Sequence, residues 1–549
     1  MTSTFFICII ILEEEKDMKK HGLFKIVGIL LFLLIITTFF VPGRGSQMAN
    51  LGIIDVVLNS LQSLYYFFDT GLFILVVAGL YGVLNKTGAY KKLLDSIVTK
   101  LKQNGKSFII ASIIIFALLV SVTGLTLPLF IFVPFVVSII LLLGYDKLVA
   151  VTSTIGAMMI GLIGGLFINF KNPDDYYSVT FTTFEKYLKL EGELVNIFPK
   201  ILLLVGAVLL LILYVLKYIK DVENKKVKYE LNDNEKILVT EVKADYKKIK
   251  IWPLIIVLIL MLILLILGLT PWNSLYGIKV FDTFNTWLTK LAIQKRVIFI
   301  TLLVLLSLYL TIKFRDKKKV IIPTVIITLI LVLAMVFSKQ IGIKALHKYL
   351  TGTYTFTSLF TASPVAFGNW QSLGTFLMPS FMILFFTLII KLIYKVNLDD
   401  VISDFLEGTK KAIPTIFMIM FAFTVLVCSY NNGFIETIIT ATKDFNIALT
   451  ALITMLGSLL HIDLYYTVAS TLSVMITTYT DTSVYPVLAI LFQTMYGLVS
   501  LIAPTSILLI IGLVYYDIPY TTWLKFIWRL LLKLIILVIF TVILVTLIL

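Results

Sequence analysis

Apolar runs of about 18 or more residues recur along the whole 549-residue chain, and a run of that length is what a helix needs to cross the hydrocarbon of a bilayer. Lipid offers no hydrogen-bonding partner, so each crossing must satisfy its own backbone. The sequence therefore predicts an all-α polytopic membrane protein, with about 11 spans plus two re-entrant hairpins. Composition agrees: 59% of residues are hydrophobic, 14% are charged, and mean hydropathy is +1.02.

The formal net charge of +15 does not point to nucleic acid, because the lysines sit in short loops between apolar runs. That pattern is the topology signal of cytoplasmic loops, and it predicts a multi-pass protein of the cell membrane with its N-terminus inside. Cys8 and Cys428 are far apart, and Cys428 lies in an apolar run, so neither a disulfide framework nor a thiolate metal site is indicated. No Gly-x-x-x-x-Gly-Lys-Ser/Thr motif is present, which disfavours direct ATP drive, and no cofactor is expected.

Taken in order, residues 1–22 read as an N-terminal tail. Met1–Asp17 is either a leader or a genuine tail, with Met18 an alternative start. Residues 23–216 form a first transmembrane half. Within it Leu23–Val41 is a retained span, Ile53–Phe67 an amphipathic surface piece, Asp69–Leu84 a crossing, and Asn85–Lys106 a basic loop with six lysines. Residues 217–250 are a cytoplasmic linker holding ten lysines. Residues 251–395 are central spans, with Ser338–Gln371 as an external loop, and 396–549 a second transmembrane half that opens with a surface helix at Asp399–Lys411 and a crossing at Ile413–Val427.

Four interruptions stand out. Ser107–Leu143 is broken near its midpoint at Ser121–Pro128, and Leu148–Phe170 at Gly161, Gly164, Gly165 and Asn169. In the second half, Ile447–Thr480 is broken at Leu460–Tyr466, and Leu491–Leu513 at Gly497, Ser500, Pro504, Thr505 and Ser506. A break at that depth is tolerated only where it lines protein or a cavity, and carriers built from repeats place such breaks in corresponding positions of both halves.

Weak internal matches join the halves. Asp55-Val56-Val57 with Leu61 matches Asp400-Val401-Ile402 with Leu406, and Lys86-Thr87-Gly88 matches Asn431-Asn432-Gly433 at the same offset. Val151–Gly161 then matches Val487–Gly497. Lysine placement makes Asp69–Leu84 run inward and Ile413–Val427 outward, so the copies form an inverted repeat: surface helix, span, interrupted hairpin, broken span.

Gly82–Gly88, Gly144–Ala150, Ala503-Pro504-Thr505-Ser506 and Ile518–Lys525 together resemble the YfcC family of DcuC-like amino-acid or carboxylate carriers, within the wider ion-transporter superfamily. The resemblance covers roughly Met18 to the C-terminus. It implies two scaffold regions, two re-entrant hairpins and two broken helices around a substrate site, often in a homodimer. The chain departs from the family pattern at the hairpin tips. It has Leu125-Thr126-Leu127-Pro128 where a pair of glutamates is expected, His461–Tyr465 where a Ser/Gly-rich stretch is expected, and Asn169-Phe170 where Asn-Pro-Phe is expected.

Half-helix N-termini suit carboxylates and unwound carbonyls suit cations. The candidate substrate-binding residues are therefore the hairpin tips (Ser121, Thr123, Gly124, Thr126; His461, Asp463, Tyr465) and the breaks (Gly161, Gly164, Gly165, Asn169; Gly497, Ser500, Pro504, Thr505, Ser506). For any one Gly or Ser, close helix packing is the plainer reading. Asp463, with His461 beside it, is the candidate for proton or cation coupling. Asp146 reads as a helix cap and Asp69 as interfacial.

The expected function is that of a secondary active transporter moving a small polar solute (amino acid, short peptide or carboxylate) by alternating access. Its partners are that solute and membrane lipids, not nucleic acid. Two alternatives belong to other classes: a non-transporting membrane scaffold, and a membrane-embedded transferase, for which no loop offers an Asp/Glu/His cluster.

Overall fold

The computed structural model describes residues 22–40, 52–166, 197–226, 249–270, 272–273, 277–314, 318–355, 367–368, 370, 376–432, 459 and 485–548. They divide into two compact units, one of Met1–Gly277 with Trp370–Leu549 and one of Ile278–Asn369. The fold is all-α and polytopic: among the described residues, nine helices are long and apolar enough to span a membrane.

The first unit begins with α1 (Gly22–Phe40) and α2 (Ile53–Tyr66). The Asp55 carboxylate in the first turn of α2 accepts from the Gly52 N–H at 2.7 Å, a negative group where the helix end exposes donors. Val56, Asn59 and Ser63 form the buried stripe of α2, whereas Ile53, Ile54, Leu58 and Leu61 stay exposed. α3 (Phe68–Lys86) follows after a bend at Phe67, then α4 (Gly88–Leu101). The expected loop Asn85–Lys106 is thus mostly helix. Thr87 caps it by accepting from the Tyr90 N–H, and Tyr90, Leu93 and Leu94 are buried on one face. That 3–4-residue apolar spacing carries the fold more than the lysines between do.

α5 (Gly105–Thr123) stops at Gly124, whose φ of +70° places it in the left-handed region that glycine enters without a steric penalty. A 3₁₀ turn (Leu127–Phe132) and α6 (Val133–Leu142) follow, so the run is interrupted where the sequence indicated. Next come α7 (Lys147–Val151), a π-helical turn (Thr152–Gly156) and α8 (Ala157–Ile163). Asp146 is the expected cap: it accepts from the Val149 N–H at 2.9 Å and from the Tyr218 hydroxyl at 2.6 Å. α9 (Ile197–Glu223) and α10 (Trp252–Leu269) complete this stretch.

The second unit contains α11 (Val280–Lys290), β1 (Ala292–Gln294), α12 (Lys295–Lys313), α13 (Lys318–Val336), α14 (Lys344–Thr351) and β2 (Thr353–Thr355). The two short strands pair antiparallel with Ile293 opposite Tyr354. The stretch expected as an external loop therefore holds a helix and a strand that fold back on the start of α12, where the Lys295 N–H donates to the Gly352 carbonyl at 2.9 Å.

The first unit resumes with α15 (Leu377–Tyr394), α16 (Leu398–Asn432), α17 (Tyr485–Ser500), α18 (Ile507–Val514) and α19 (Tyr520–Ile548). The surface helix and crossing expected as separate pieces at Asp399–Lys411 and Ile413–Val427 are one continuous helix, α16, which runs through Pro414. Here the copies differ, since the first bends at Phe67. α3 and α16 cross at Gly82 and Gly408. A Cβ on Gly82 would lie 2.2 Å from the Asp404 carbonyl oxygen, and one on Gly408 2.3 Å from that of Ala78, so the two backbones touch.

Candidate functional site

The first hairpin and the first break are joined by hydrogen bonds. Ser121, fully buried near the end of α5, donates its hydroxyl to the Gly164 carbonyl at 2.7 Å. The Leu166 N–H returns to the Ser121 carbonyl at 2.7 Å and lies 3.2 Å from its hydroxyl oxygen. The broken end of α8 is thereby tied to the hairpin tip. At the tip, Thr123 donates to the Leu119 carbonyl at 2.5 Å and accepts from the Leu125 N–H at 3.2 Å, so its hydroxyl shapes the turn. Gly124 and Thr126 are half-buried, and Thr126 opens the 3₁₀ turn without a side-chain cap bond.

The second broken helix lies against the same place. The Gln493 side-chain amide in α17 donates to the Ile163 and Gly165 carbonyls, at 3.2 and 3.3 Å. With Ser121 on Gly164, three successive carbonyls freed by the end of α8 each have a donor from another element. A buried carbonyl left without one would cost about 1–3 kcal/mol, so these bonds are what lets the helix stop there. Gly497, one turn further along α17, sits against the backbone of Ile163: a Cβ would come within 2.9 Å of its nitrogen. Gly161 packs on the Ala117 carbonyl and Gly164 on Leu204 of α9. For these three glycines close packing is what the structure displays, and the packing itself brings the two broken helices together.

The second break is closed differently. α17 ends at Ser500, whose hydroxyl donates to the Gly497 carbonyl at 2.7 Å. The Leu501 carbonyl receives the Trp523 indole N–H at 2.8 Å, and the Ile502 carbonyl receives the Tyr520 hydroxyl. After Pro504, Thr505 is fully buried and donates to the Leu459 carbonyl at 2.6 Å, and Ser506 caps α18 by accepting from the Leu509 N–H. Tyr520 and Trp523 belong to the Ile518–Lys525 stretch that carries the family resemblance. Their work here is to satisfy the backbone of the break before them.

Asn169, His461, Asp463 and Tyr465 lie outside the described residues. Gln493, Tyr520 and Trp523 were missed as site residues. Gly, Pro and hydroxyl residues mark the breaks by their effect on the backbone, whereas the signal for Gln493, 2% exposed in the structure, is a lone glutamine inside the apolar run Leu491–Leu513. A separate small cavity of about 20 Å³ lies beside the α3–α16 crossing and is lined by Asn85, Lys86, Glu407, Lys411 and Tyr515, none of them a predicted site residue. There the Asn85 side-chain oxygen is buried without a protein donor, and Lys86 pairs with Glu407 at 3.2 Å. Among the described residues no group of His, Cys, Asp and Glu could hold a metal ion.

With the paired breaks in place, comparison with known proteins adds a family. The DcuC family, described as C4-dicarboxylate anaerobic carriers, matches residues 35–547. No curated protein and no solved structure matches the chain. The match runs through both broken helices and the hairpin between α5 and α6, and the chain belongs to the DcuC family of membrane carriers.

Proposed function

We propose that this carrier moves small carboxylate-bearing solutes, C4-dicarboxylates first among them, as a secondary active transporter working by alternating access. One observation carries the reading: the two broken helices meet, with Gln493 and Gly497 of α17 set against Ile163 and Gly165 at the end of α8. Such a junction is where repeat-built carriers hold their solute. The two breaks offer opposite chemistry. α8 ends there with the negative end of its dipole, its freed carbonyls bonded to Ser121 and Gln493, whereas α18 begins after its cap Ser506 with the positive end of its own. A carboxylate is received on the α18 side, near Thr505 and Ser506. The YfcC-like motif at Ile518–Lys525 extends the solutes worth testing to amino acids and short peptides.

Coupling to a proton or cation rests on Asp463 and His461, whose charges would be uncomfortable at bilayer depth unless paired or hydrated. Purified protein in liposomes preloaded with unlabelled succinate should exchange it for labelled succinate in a saturable way. Absence of flux for every C4-dicarboxylate, amino acid and dipeptide offered would sink the carrier reading. Asp463→Asn should flatten the pH dependence of uptake, and an unchanged profile would remove Asp463 from coupling.

A further inference from the structure

The second unit has an end that the carrier mechanism does not use. α11 buries none of its residues. Val280, Phe284 and Trp287 fall on one face at helical spacing and are 67%, 45% and 56% exposed. The Phe284 and Trp287 rings lie 5.7 Å apart on that face. Around it the charge is lopsided: residues 279–296 contribute four cations and residues 339–348 three more, against Asp282 as the sole acid in 278–296 and 337–369.

The fold gathers those two stretches. β1 pairs with β2, α14 packs back on α12 through Phe299 and Tyr349, and the Arg296 guanidinium lies 3.3 Å from the His347 ring nitrogen. The Lys295 ammonium sits over the Tyr349 and Tyr354 rings, 4.5 and 4.7 Å from their centroids. Arg296 Nε is enclosed with no acceptor. Lys290, Lys339, Lys344 and Lys348 are exposed. All of this sits at one end of a helical hairpin, α12 and α13, whose apolar windows bury no residue at all.

We propose that this end is an interfacial anchor that binds the headgroups of anionic phospholipids. α11 lays its Val280–Phe284–Trp287 face among the upper acyl chains, and the surrounding cations meet the phosphates. An amphipathic helix with an aromatic-bearing apolar face next to a cationic cluster is what the boundary between headgroups and hydrocarbon favours. The helix that carries the apolar face runs through Lys290 directly into β1 and the Lys295–Arg296 pair, a succession of apolar face and cations that a soluble polyanion would not require. A second copy of this chain would bring an equally cationic end and be repelled.

The test uses the full-length protein in liposomes of phosphatidylcholine with or without phosphatidylglycerol. Trp287 emission is taken as the difference between wild type and Trp287→Phe, an exposed position whose loss leaves the core intact. Lipids brominated in the upper acyl chain should quench that difference signal, and brominated phosphatidylglycerol should quench several-fold more per mole than brominated phosphatidylcholine. Lys290→Gln/Lys344→Gln/Lys348→Gln should bring the two lipids towards parity, each neutralised lysine lowering the preference by up to about fivefold, while quenching by both persists. Quenching of Trp287 by aqueous iodide but by neither brominated lipid would overturn the anchor. Equal quenching by the two lipids in the wild type would overturn the headgroup selectivity.

Discussion

The side-chain amide of Gln493 lies 3.3 Å from the backbone carbonyl of Gly165, so a residue of the second broken helix completes the backbone of the first. Gln493→Met keeps the bulk and removes the donor, leaving the Ile163 and Gly165 carbonyls without it. The expected loss is about 1–3 kcal/mol of stability, read as a lower melting temperature in detergent, with a raised KM for uptake. Gln493→Glu should be worse at neutral pH, because an ionised carboxylate only accepts and would face two carbonyls.

Gly497→Ala would place a methyl 2.7 Å from a side-chain carbon of Ile163 and 2.9 Å from its backbone nitrogen. The broken helices would have to part, at a cost of about 1–3 kcal/mol, and exchange should fall with the geometry of the junction. Gly28→Ala is the control, since nothing lies within 4 Å of the added carbon. Equal melting temperatures and equal flux in the two variants would contradict the close contact.

Tyr520→Phe and Trp523→Phe each remove one donor from the second break, at Ile502 and Leu501 respectively. Tyr520→Phe should destabilise by about 1–3 kcal/mol, and Trp523→Phe by more, because it also leaves a void in the core. Because adjacent carbonyls of one segment are involved, the double variant should depart from the sum by at least about 0.5 kcal/mol in a thermal double-mutant cycle. Strict additivity would mean that the two aromatics act on independent parts of the structure.

Asp146→Ala removes a buried cap that serves both Val149 and Tyr218, and should lower stability by about 1–2 kcal/mol. Glu223→Gln should change it by less than about 0.5 kcal/mol. Its ion pair with Lys106 at 2.8 Å is half exposed on both sides, where solvent screening leaves little net attraction. Chemical denaturation of the two variants side by side gives the ranking directly.

Much of the fold could be read from the amino acids because hydropathy alone marks a span. The expected Asp69–Leu84 lies within a residue or two of the observed Phe68–Lys86, and the central spans, expected from residue 251, open with Trp252–Leu269. The interruption at Ser121–Pro128 was visible because Gly124 and Pro128 act locally on the backbone. A segment such as α4 is hidden, since its lysines read as loop while the apolar residues between them keep helical spacing. At the candidate site the glycines could be seen, but their partners could not. Which carbonyl Gln493 or Trp523 reaches depends on how helices far apart in the chain are juxtaposed, and no local pattern encodes that.

The crossing of α3 and α16 has a mechanical implication. Where Gly82 meets Gly408 the helices touch backbone to backbone, and one turn away the Phe405 ring of α16 fills the groove left by Gly79. One added methyl at either glycine would wedge the pair apart. The contact therefore acts as a close-set pin: the separation of these two helices is set by backbone against backbone, and no side chain can be added there to widen or tune it.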